Sequence, residues 1–152
     1  MSVRKKIIGV IGASQATTEG LILAEEVGRL IAESGAVLVC GGLGGVMEAA
    51  SRGCSSAGGD VLGIIPGPNA AEANPYVSIA VPTNMGHARN IIIAHTAESL
   101  IAIEGEYGTL SEAAISLKLG KMVFALRPQY SLDGVIVVRT AEEAVNKAVE
   151  SN

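Results

Sequence analysis

Residues 37–48, VLVCGGLGGVME, join a short apolar run directly to a glycine-rich turn and the start of a helical segment. The run from Val37 to Cys40 is short, continuously apolar and rich in valine, as expected for a strand covered on both faces. The glycines leave backbone N–H groups bare where the next helix begins, and such a turn can hold an anion. The stretch therefore predicts a strand, a ligand-binding turn and a helix in succession.

The same alternation continues on both sides of this stretch. Leu23, Val27, Leu30 and Ile31 are spaced so that they form one apolar stripe on a helix ending near Gly35. Further apolar runs predict strands at residues 7–11, 61–65, 100–103, 122–126 and 135–138. The remaining predicted helices run from Gly45 to Ala57, His87 to Thr96, Thr109 to Leu119 and Ala141 to Val149.

Repeated strand–helix units with buried strands define the expected fold class. Each unit needs a right-handed crossover, which produces a parallel sheet. We predict an α/β, Rossmann-like, doubly wound and mainly parallel sheet of about six to seven strands with helices on both faces. An irregular Pro- and Asn-containing segment, Pro66 to Pro75, interrupts the rhythm and precedes a short strand-like run at residues 77–81. We expect this segment to lie at the sheet edge or over a site.

Composition narrows the possible functions. A length of 152 residues predicts a single domain over residues 1–152. The apolar runs are much shorter than the ~20 residues needed to cross a bilayer, and no secretory signal is recognised, so we expect a cytoplasmic protein without membrane partners. A net charge of -4 and 3% aromatic residues disfavour nucleic-acid binding. Cys40 and Cys54 form no disulfide or zinc pattern, and the spacing of His87 and His95 predicts no metal site.

Three glycine-rich turns follow predicted strands. Ligands of open parallel sheets bind beyond the carboxyl ends of the strands, so two converging helix starts predict a phosphate pocket. Any one of the turns, taken alone, is equally well explained as a tight turn. The residues expected to bind the ligand are Gly12, Ser14, Gly41, Gly42, Gly44, Gly45, Val46, Met47, Gly105, Gly108 and Thr109.

Neither of the familiar phosphate motifs is present. Gly120-Lys121 is followed by Met122, so there is no P-loop, and the glycines of residues 41–45 do not match G-x-G-x-x-G. No acidic residue closes the second strand, where a dinucleotide-binding fold places its ribose ligand. NAD binding and ATP hydrolysis are therefore disfavoured.

Three polar side chains complete the candidate site. Glu112 follows Thr109 at the capping-box spacing, so it either ties off a helix or contacts a ribose hydroxyl as an acid/base group. Arg89 is placed to reach a phosphate with its planar guanidinium, although a solvated role fits its spacing almost as well. His87 is expected to line the pocket, and Glu48 to compensate a helix dipole.

Four motifs in this order resemble the LOG-type superfamily, formerly called lysine decarboxylase-like. The motifs lie at Gly41–Glu48, Gly63–Gly67, Met85–Asn90 and Gly108–Glu112, and the resemblance covers about residues 5 to 126. It is closest to the branch of molybdenum-cofactor carriers and DprA-related proteins. LOG phosphoribohydrolases cleave the N-glycosidic bond of nucleoside 5'-monophosphates and carry the signature P-G-G-x-G-T-x-x-E with an Arg-Lys pair upstream of it. The resemblance implies Arg89 and Glu112 as the catalytic pair if the chain is a hydrolase.

Two departures from that signature shift the expectation toward binding. The Pro-Gly-Gly of the hydrolases is Glu104-Gly105-Glu106 here, and the Lys after the Arg is Asn90. We expect a binder of a phosphorylated nucleotide-like or pterin molecule, such as molybdenum cofactor, that requires no cofactor of its own. Phosphoribohydrolysis is the alternative, and single-strand DNA handling as in DprA is disfavoured by charge. Helices that are apolar on more than one face predict a homo-oligomer of two or more subunits.

Overall fold

Seven strands form one sheet in the computed structural model, which describes residues 3–151. The order across the sheet is β4-β3-β2-β1-β5-β6-β7, and every neighbouring pair is parallel. The strands are β1 (Ile7–Gly12), β2 (Val37–Cys40), β3 (Val61–Ile65), β4 (Ile79–Pro82), β5 (Ser99–Ile103), β6 (Met122–Leu126) and β7 (Ile136–Val138). The predicted doubly wound α/β fold is therefore confirmed, with a sheet that is parallel throughout.

Five helices cover the two faces of the sheet. They are α1 (Thr18–Glu33), α2 (Val46–Ser56), α3 (Arg89–Thr96), α4 (Tyr107–Lys118) and α5 (Ala141–Glu150). Core residues of α1, α2 and α5 belong to one apolar cluster, and those of α3 and α4 belong to a second. Within residues 3–151, no helix is both long enough and apolar enough to cross a membrane.

The direction of winding reverses at β1. The chain passes from β1 outward through β2, β3 and β4, and then returns to place β5 on the other side of β1. Gly12 at the end of β1 pairs in register with Ile103 at the end of β5. A crevice forms at such a reversal because the connections leave in opposite directions. The carboxyl ends of β1, β2 and β5 lie at the same edge of the sheet, and the loops that follow them surround this crevice.

The helices α1 and α2 approach each other through glycine. A Cβ atom at Gly28 of α1 would overlap the carbonyl oxygen of Ala50 in α2, and a Cβ at Gly53 would overlap the carbonyl oxygen of Glu25. The obstacles are backbone atoms, which cannot rotate away as a side chain can. This contact fixes α2, and with it the turn before α2, against the rest of the molecule.

We expect Gly28→Ala to lower the free energy of unfolding by about 2 kcal/mol, because the overlap outweighs the ~1 kcal/mol gained from the better helix propensity of Ala. Gly44→Ala is the matched control, since no atom lies within 4 Å of a Cβ placed there. Urea unfolding of both variants measures the difference. Equal stability of the two variants would contradict the close helix contact.

Candidate functional site

A cavity of about 570 Å³ opens at the carboxyl ends of β1, β2 and β5. This volume lies within the range of small-molecule sites, roughly 300–1,000 Å³. Its lining consists of Val10, Ile11, Gly12, Ala13, Ser14, Gln15, Gly41, Leu43, Met47, His87, Arg89, Asn90, Glu106, Tyr107, Gly108, Thr109, Glu112 and Gln129. The candidate site therefore lies where the reversal of winding predicts it.

The base of the cavity is built from close backbone contacts. The Ala13 N–H donates to the carbonyl of Ile103 at 3.2 Å, and the Val46 N–H donates to the carbonyl of Ala13 at 3.0 Å. Gly45 has a φ of 67° and lies against the carbonyls of Ala13 and Ser14, where a Cβ would overlap both. The end of β1 thus holds the end of β5 on one side and the start of α2 on the other.

Asn74, from the irregular segment after β3, holds the glycine turn between β2 and α2. Its backbone N–H donates to the carbonyl of Gly42 at 2.8 Å, and its side-chain amide donates to the carbonyl of Leu43 at 3.0 Å. The residue is 8% exposed. The Pro66 to Pro75 segment therefore braces this turn of the candidate site, which agrees with its expected place at the sheet edge.

The turn between β5 and α4 brings a helix start to the cavity. Gly105 has a φ of 102°, and the side chain of Thr109 fills the space where its Cβ would stand. The helix begins at Tyr107, so Thr109 lies inside the first turn and is not the N-cap. The alternative interpretation of Thr109 and Glu112 as a capping box is therefore wrong. The first N–H groups of a helix have no partner within it, and here they lie at the cavity wall.

Arg89 is a buried cation that ties two strand ends together. Its Nε donates to the carbonyl of Ile64 at 2.9 Å, one terminal nitrogen donates to the carbonyl of Gly41 at 3.3 Å, and the other donates to the side chain of Asn90. A Cβ at Gly41 would lie 2.5 Å from the guanidinium, so a larger residue there would displace the Arg89 side chain. Only two of the five N–H groups of the guanidinium remain for a ligand.

Glu112 lies beside Arg89 in the same wall and is 8% exposed. Burial raises the pKa of Glu112 to about 7, and the positive charge of Arg89 opposes the rise. Burial also raises the pKa of Tyr130, with a smaller contribution from Glu112. The carboxyl group therefore changes charge near neutral pH, which makes it able to act as a proton donor or as an acceptor toward a ligand.

The structure brings most of the predicted ligand-binding residues together. Those that line the cavity are Gly12, Ser14, Gly41, Met47, His87, Arg89, Gly108, Thr109 and Glu112. Those that lie behind or beside the lining are Gly42, Gly44, Gly45, Val46 and Gly105. Gly42, Gly45 and Gly105 have positive φ and shape the turns, and Val46 is completely buried. Gly44 is exposed, and a Cβ there would meet open space.

Sequence reasoning missed several polar and aromatic lining residues. Gln15 and Gln129 reach the cavity from the loops after β1 and β6, and neither belongs to a pattern that would have identified it. Tyr107, the first residue of α4, is 87% exposed at the cavity. A large exposed aromatic side chain next to a glycine turn is a signal that could have identified it, because such a ring can stack on a flat ligand.

Within residues 3–151, no group of three His, Cys, Asp or Glu side chains is arranged to hold a metal ion.

The chain is similar to known proteins over nearly its whole length. The model of the SLOG cluster4 family matches residues 5–151. The chain is similar to a molybdenum cofactor binding protein of Rippkaea orientalis, with 38% identity, a TM-score of 0.91 and coverage of 96% of both chains. It is also similar to the molybdenum cofactor carrier protein of Chlamydomonas reinhardtii, with 35% identity, a TM-score of 0.86, and coverage of 96% of this chain and 99% of the other. An uncharacterized protein of Archaeoglobus fulgidus is 49% identical over 145 residues, which are 95% of each chain.

The titration of Glu112 predicts how stability depends on pH. The pKa is raised from 4.5 in the unfolded chain to about 7, so the folded protein holds the proton more tightly. The contribution to stability is then complete below pH 4.5 and is lost as the pH rises through about 7. We expect the difference in unfolding free energy between Glu112→Gln and the wild type to move by about 3 kcal/mol in favour of the variant over this interval. Urea unfolding at pH 4.5 and pH 8 measures it, and a difference that does not change with pH would contradict the burial of this carboxyl.

Proposed function

The chain belongs to the SLOG cluster4 family, and we propose that it binds a phosphorylated pterin or nucleotide-like molecule in the cavity, acting as a carrier of molybdenum cofactor. Membership agrees with the resemblance to the LOG-type superfamily that the sequence motifs indicated. The observation that carries the proposal is the cavity itself, which combines the start of a helix with a buried cation and an exposed aromatic ring. The similarity to two molybdenum cofactor proteins over nearly the whole chain supports the choice of ligand.

The start of α4 is the proposed position of the phosphate. Residues from Glu106 to Thr109 line the cavity, and Gly108 carries no side chain that would shield the backbone. A Cβ at Gly108 would meet open space, so the cavity is not filled by protein atoms on that side of the turn. Helix starts favour anions because the uncompensated N–H groups and the helix dipole act together. Met47, in the first turn of α2, lines the cavity as well, which brings a second helix start to it.

Tyr107 is the proposed stacking partner for the flat ring system of the ligand. Its side chain is almost fully exposed, which is unfavourable for an aromatic ring unless something covers it. His87 also lines the cavity from an exposed position in the turn before α3. A pterin or purine stacked on the ring would bury apolar surface, while the polar lining residues would orient its edge.

The distribution of charge favours holding a ligand over cleaving it. Three of the N–H groups of Arg89 are used by acceptors of the protein, so its guanidinium mainly organises the strand ends. Asn90 lines the cavity in the place of the lysine of the hydrolase signature, and Glu106 adds a carboxylate next to the proposed phosphate position. Both differences weaken the attraction to a phosphate dianion, which suits a protein that has to release its ligand.

Phosphoribohydrolysis is the second candidate function. One observation favours it, namely that Arg89 and Glu112 line the same cavity and that Glu112 titrates near neutral pH. A carboxyl group with such a pKa can transfer a proton at physiological pH.

We expect no release of base or ribose 5-phosphate when the protein is incubated with a panel of nucleoside 5'-monophosphates, since Glu106 and Asn90 weaken the attraction to the phosphate and most N–H groups of Arg89 are used by the protein. Chromatography of the products measures release. Turnover that is lost in Glu112→Ala would contradict the carrier proposal and establish the hydrolase.

The proposal includes a cytoplasmic location and a homo-oligomeric state. The outward residue Ile91 of α3 is 46% exposed, and Ala114 of α4 is exposed as well. Both helices therefore present small or apolar surface that a second copy can cover.

The direct test is identification of the ligand. We expect denaturing extraction of the purified protein, followed by mass spectrometry, to release a phosphorylated pterin. Titration with a pterin monophosphate and with AMP then measures affinity, and Tyr107→Ala is expected to weaken binding about tenfold through loss of stacking. Tyr76→Ala is the matched control, because Tyr76 lies against Arg52 outside the cavity lining. An empty protein that binds neither probe would overturn the proposal.

A further inference from the structure

Glu112 carries a buried carboxyl group that the protein leaves without a hydrogen-bond donor. It lines the cavity and is 8% exposed. The guanidinium of Arg89 donates to two backbone carbonyls and to Asn90, and not to Glu112. Burial and the opposing charge of Arg89 set the pKa of Glu112, and no hydrogen bond from residues 3–151 contributes to it. Buried polar groups are rarely left unpaired, because their lost hydration is not compensated, so we expect the partner of this carboxyl group to come from the cavity.

The carboxyl oxygens of Glu112 are accessible from the cavity. Within residues 3–151, the hydroxyl of Tyr130 is the one side-chain N or O atom that is both enclosed by the protein and unpaired. The oxygens of Glu112 are unpaired as well but are not enclosed in this way. Because Glu112 lines the cavity, a donor group of a ligand can reach them there.

Glu112 and the proposed phosphate position lie on the same face of α4. Gly108 precedes Glu112 by four residues, and this spacing places two residues on one face of an α-helix, about 6 Å apart along its axis. Both residues line the cavity. A ligand whose phosphate lies at the start of α4 can therefore extend along this face and place a polar edge against Glu112.

The chemistry of a carboxyl group determines which edge it pairs with. An ionised carboxyl group only accepts hydrogen bonds, through two oxygens that lie side by side, whereas a protonated one donates once and accepts once. Guanine and pterin rings present two adjacent donors, a ring N–H and an amino group. Adenine presents an amino donor next to a ring nitrogen that only accepts. The carboxylate therefore matches guanine and pterin, and the neutral acid matches adenine.

We propose that Glu112 selects the ring system of the ligand, by accepting two hydrogen bonds from the adjacent N–H and NH2 groups of a pterin or guanine edge. The inference rests on the proposed function, because it requires a phosphorylated ligand in the cavity. Hydrogen bonds to an ionised group are roughly twice as strong as those between neutral groups. Adenine is disfavoured because its ring nitrogen and a carboxylate oxygen would both be acceptors without a proton between them.

The groups around Glu112 keep their charge near neutral pH. Burial raises the pKa of Cys40 in β2 and of Tyr130 after β6, so both stay neutral. Burial lowers the pKa of Arg89 from 12.5, and an arginine side chain still keeps its proton. Glu112, with a pKa of about 7, is the member of this group that changes its charge. His87 and Glu106 also line the cavity, and both are retained when Glu112 alone is replaced.

Calorimetric titration with GMP and AMP tests this inference, because the two nucleotides share the ribose and the phosphate and differ only in the base. At pH 8 Glu112 is mostly ionised, and GMP is expected to bind the wild type at least about tenfold more tightly than AMP. The preference is expected to decrease as the pH is lowered through about 7, since the carboxyl group then gains a proton. The titration of the phosphate is common to both ligands and cancels in the ratio of their affinities.

Two glutamine variants separate the role of Glu112 from a general effect of charge. Glu112→Gln presents one donor and one acceptor at every pH, so it is expected to lose the preference for GMP together with its pH dependence. Glu106→Gln is the matched control, because Glu106 is an exposed carboxylate of the same cavity. This change is expected to strengthen the binding of GMP and AMP alike and to leave the preference for GMP intact.

Proton exchange with the buffer is a second measurement, and it needs no variant. At pH 7 about half of the Glu112 side chains carry a proton. GMP is expected to release this proton, and AMP is expected to complete the protonation, so the two ligands differ by about one proton per site. Titrations in two buffers with different enthalpies of ionisation measure this difference.

Pterin monophosphate distinguishes the two sources of the edge. Tighter binding of this probe than of GMP assigns the edge to a pterin, and tighter binding of GMP assigns it to a guanine nucleotide. If only pterin monophosphate binds, a loss of at least about tenfold in Glu112→Gln at pH 8 supports the role of Glu112, and unchanged binding overturns it.

The remaining outcomes separate this inference from the proposed function. Equal affinity of the wild type for GMP and AMP at pH 8 would overturn the role of Glu112. An equal loss for both nucleotides in Glu112→Gln would also overturn it, by placing the carboxyl group at the ribose or the phosphate that they share. A protein that binds none of the three ligands would instead overturn the proposed function.

Discussion

The end of β1 contacts both of the other elements that form the base of the candidate site, namely the end of β5 and the start of α2. Ala13 donates a hydrogen bond to the end of β5 and accepts one from the first residue of α2, so one residue sets the distance between the turns that follow β5 and β2. Side chains are absent where these backbones approach: a Cβ at Gly12 would overlap the carbonyl of Ile103, and a Cβ at Gly45 would overlap the carbonyl of Ala13. Close contact between backbones is rigid, because no rotamer change can relieve it. These backbone contacts therefore fix the shape of the cavity.

Three carboxylates lie near the end of β1, and each has a different environment that determines its charge and its contacts. Glu104 is buried, bound by Thr17 and Arg127, and kept ionised. Glu112 is also buried but accepts no such hydrogen bonds, so burial raises its pKa to about 7. Glu106 is exposed at the start of α4. Compared with the hydrolase signature, Glu104 and Glu106 are two added acidic residues. Of these two, only Glu106 lines the cavity.

Much of the fold could be predicted because its signals are local. The valine-rich run of β2 and the helical spacing of Leu23, Val27 and Ile31 depend only on neighbours in sequence. The predicted ends of the helices and strands were less accurate. The start of α4 was predicted at Thr109 but lies at Tyr107, because the chain already turns at Gly105. The role of Asn74 could not be predicted, since the two turn residues that it holds, Gly42 and Leu43, lie more than 30 residues away in the chain.

The sequence by itself determined the class of the fold, the glycine turns and the residues Arg89 and Glu112 as members of one site. The first two follow from apolar periodicity and local turn chemistry, and the pairing of Arg89 with Glu112 follows from the resemblance to the LOG-type superfamily. Only the tertiary structure decided which groups line the cavity. It showed that most donors of Arg89 are used by the carbonyls of Ile64 and Gly41 and by Asn90, and that Glu104 points to the start of α1. The physical reason is that a charged group acts through the partners that surround it, and here those partners come from strands and helices far apart in the chain.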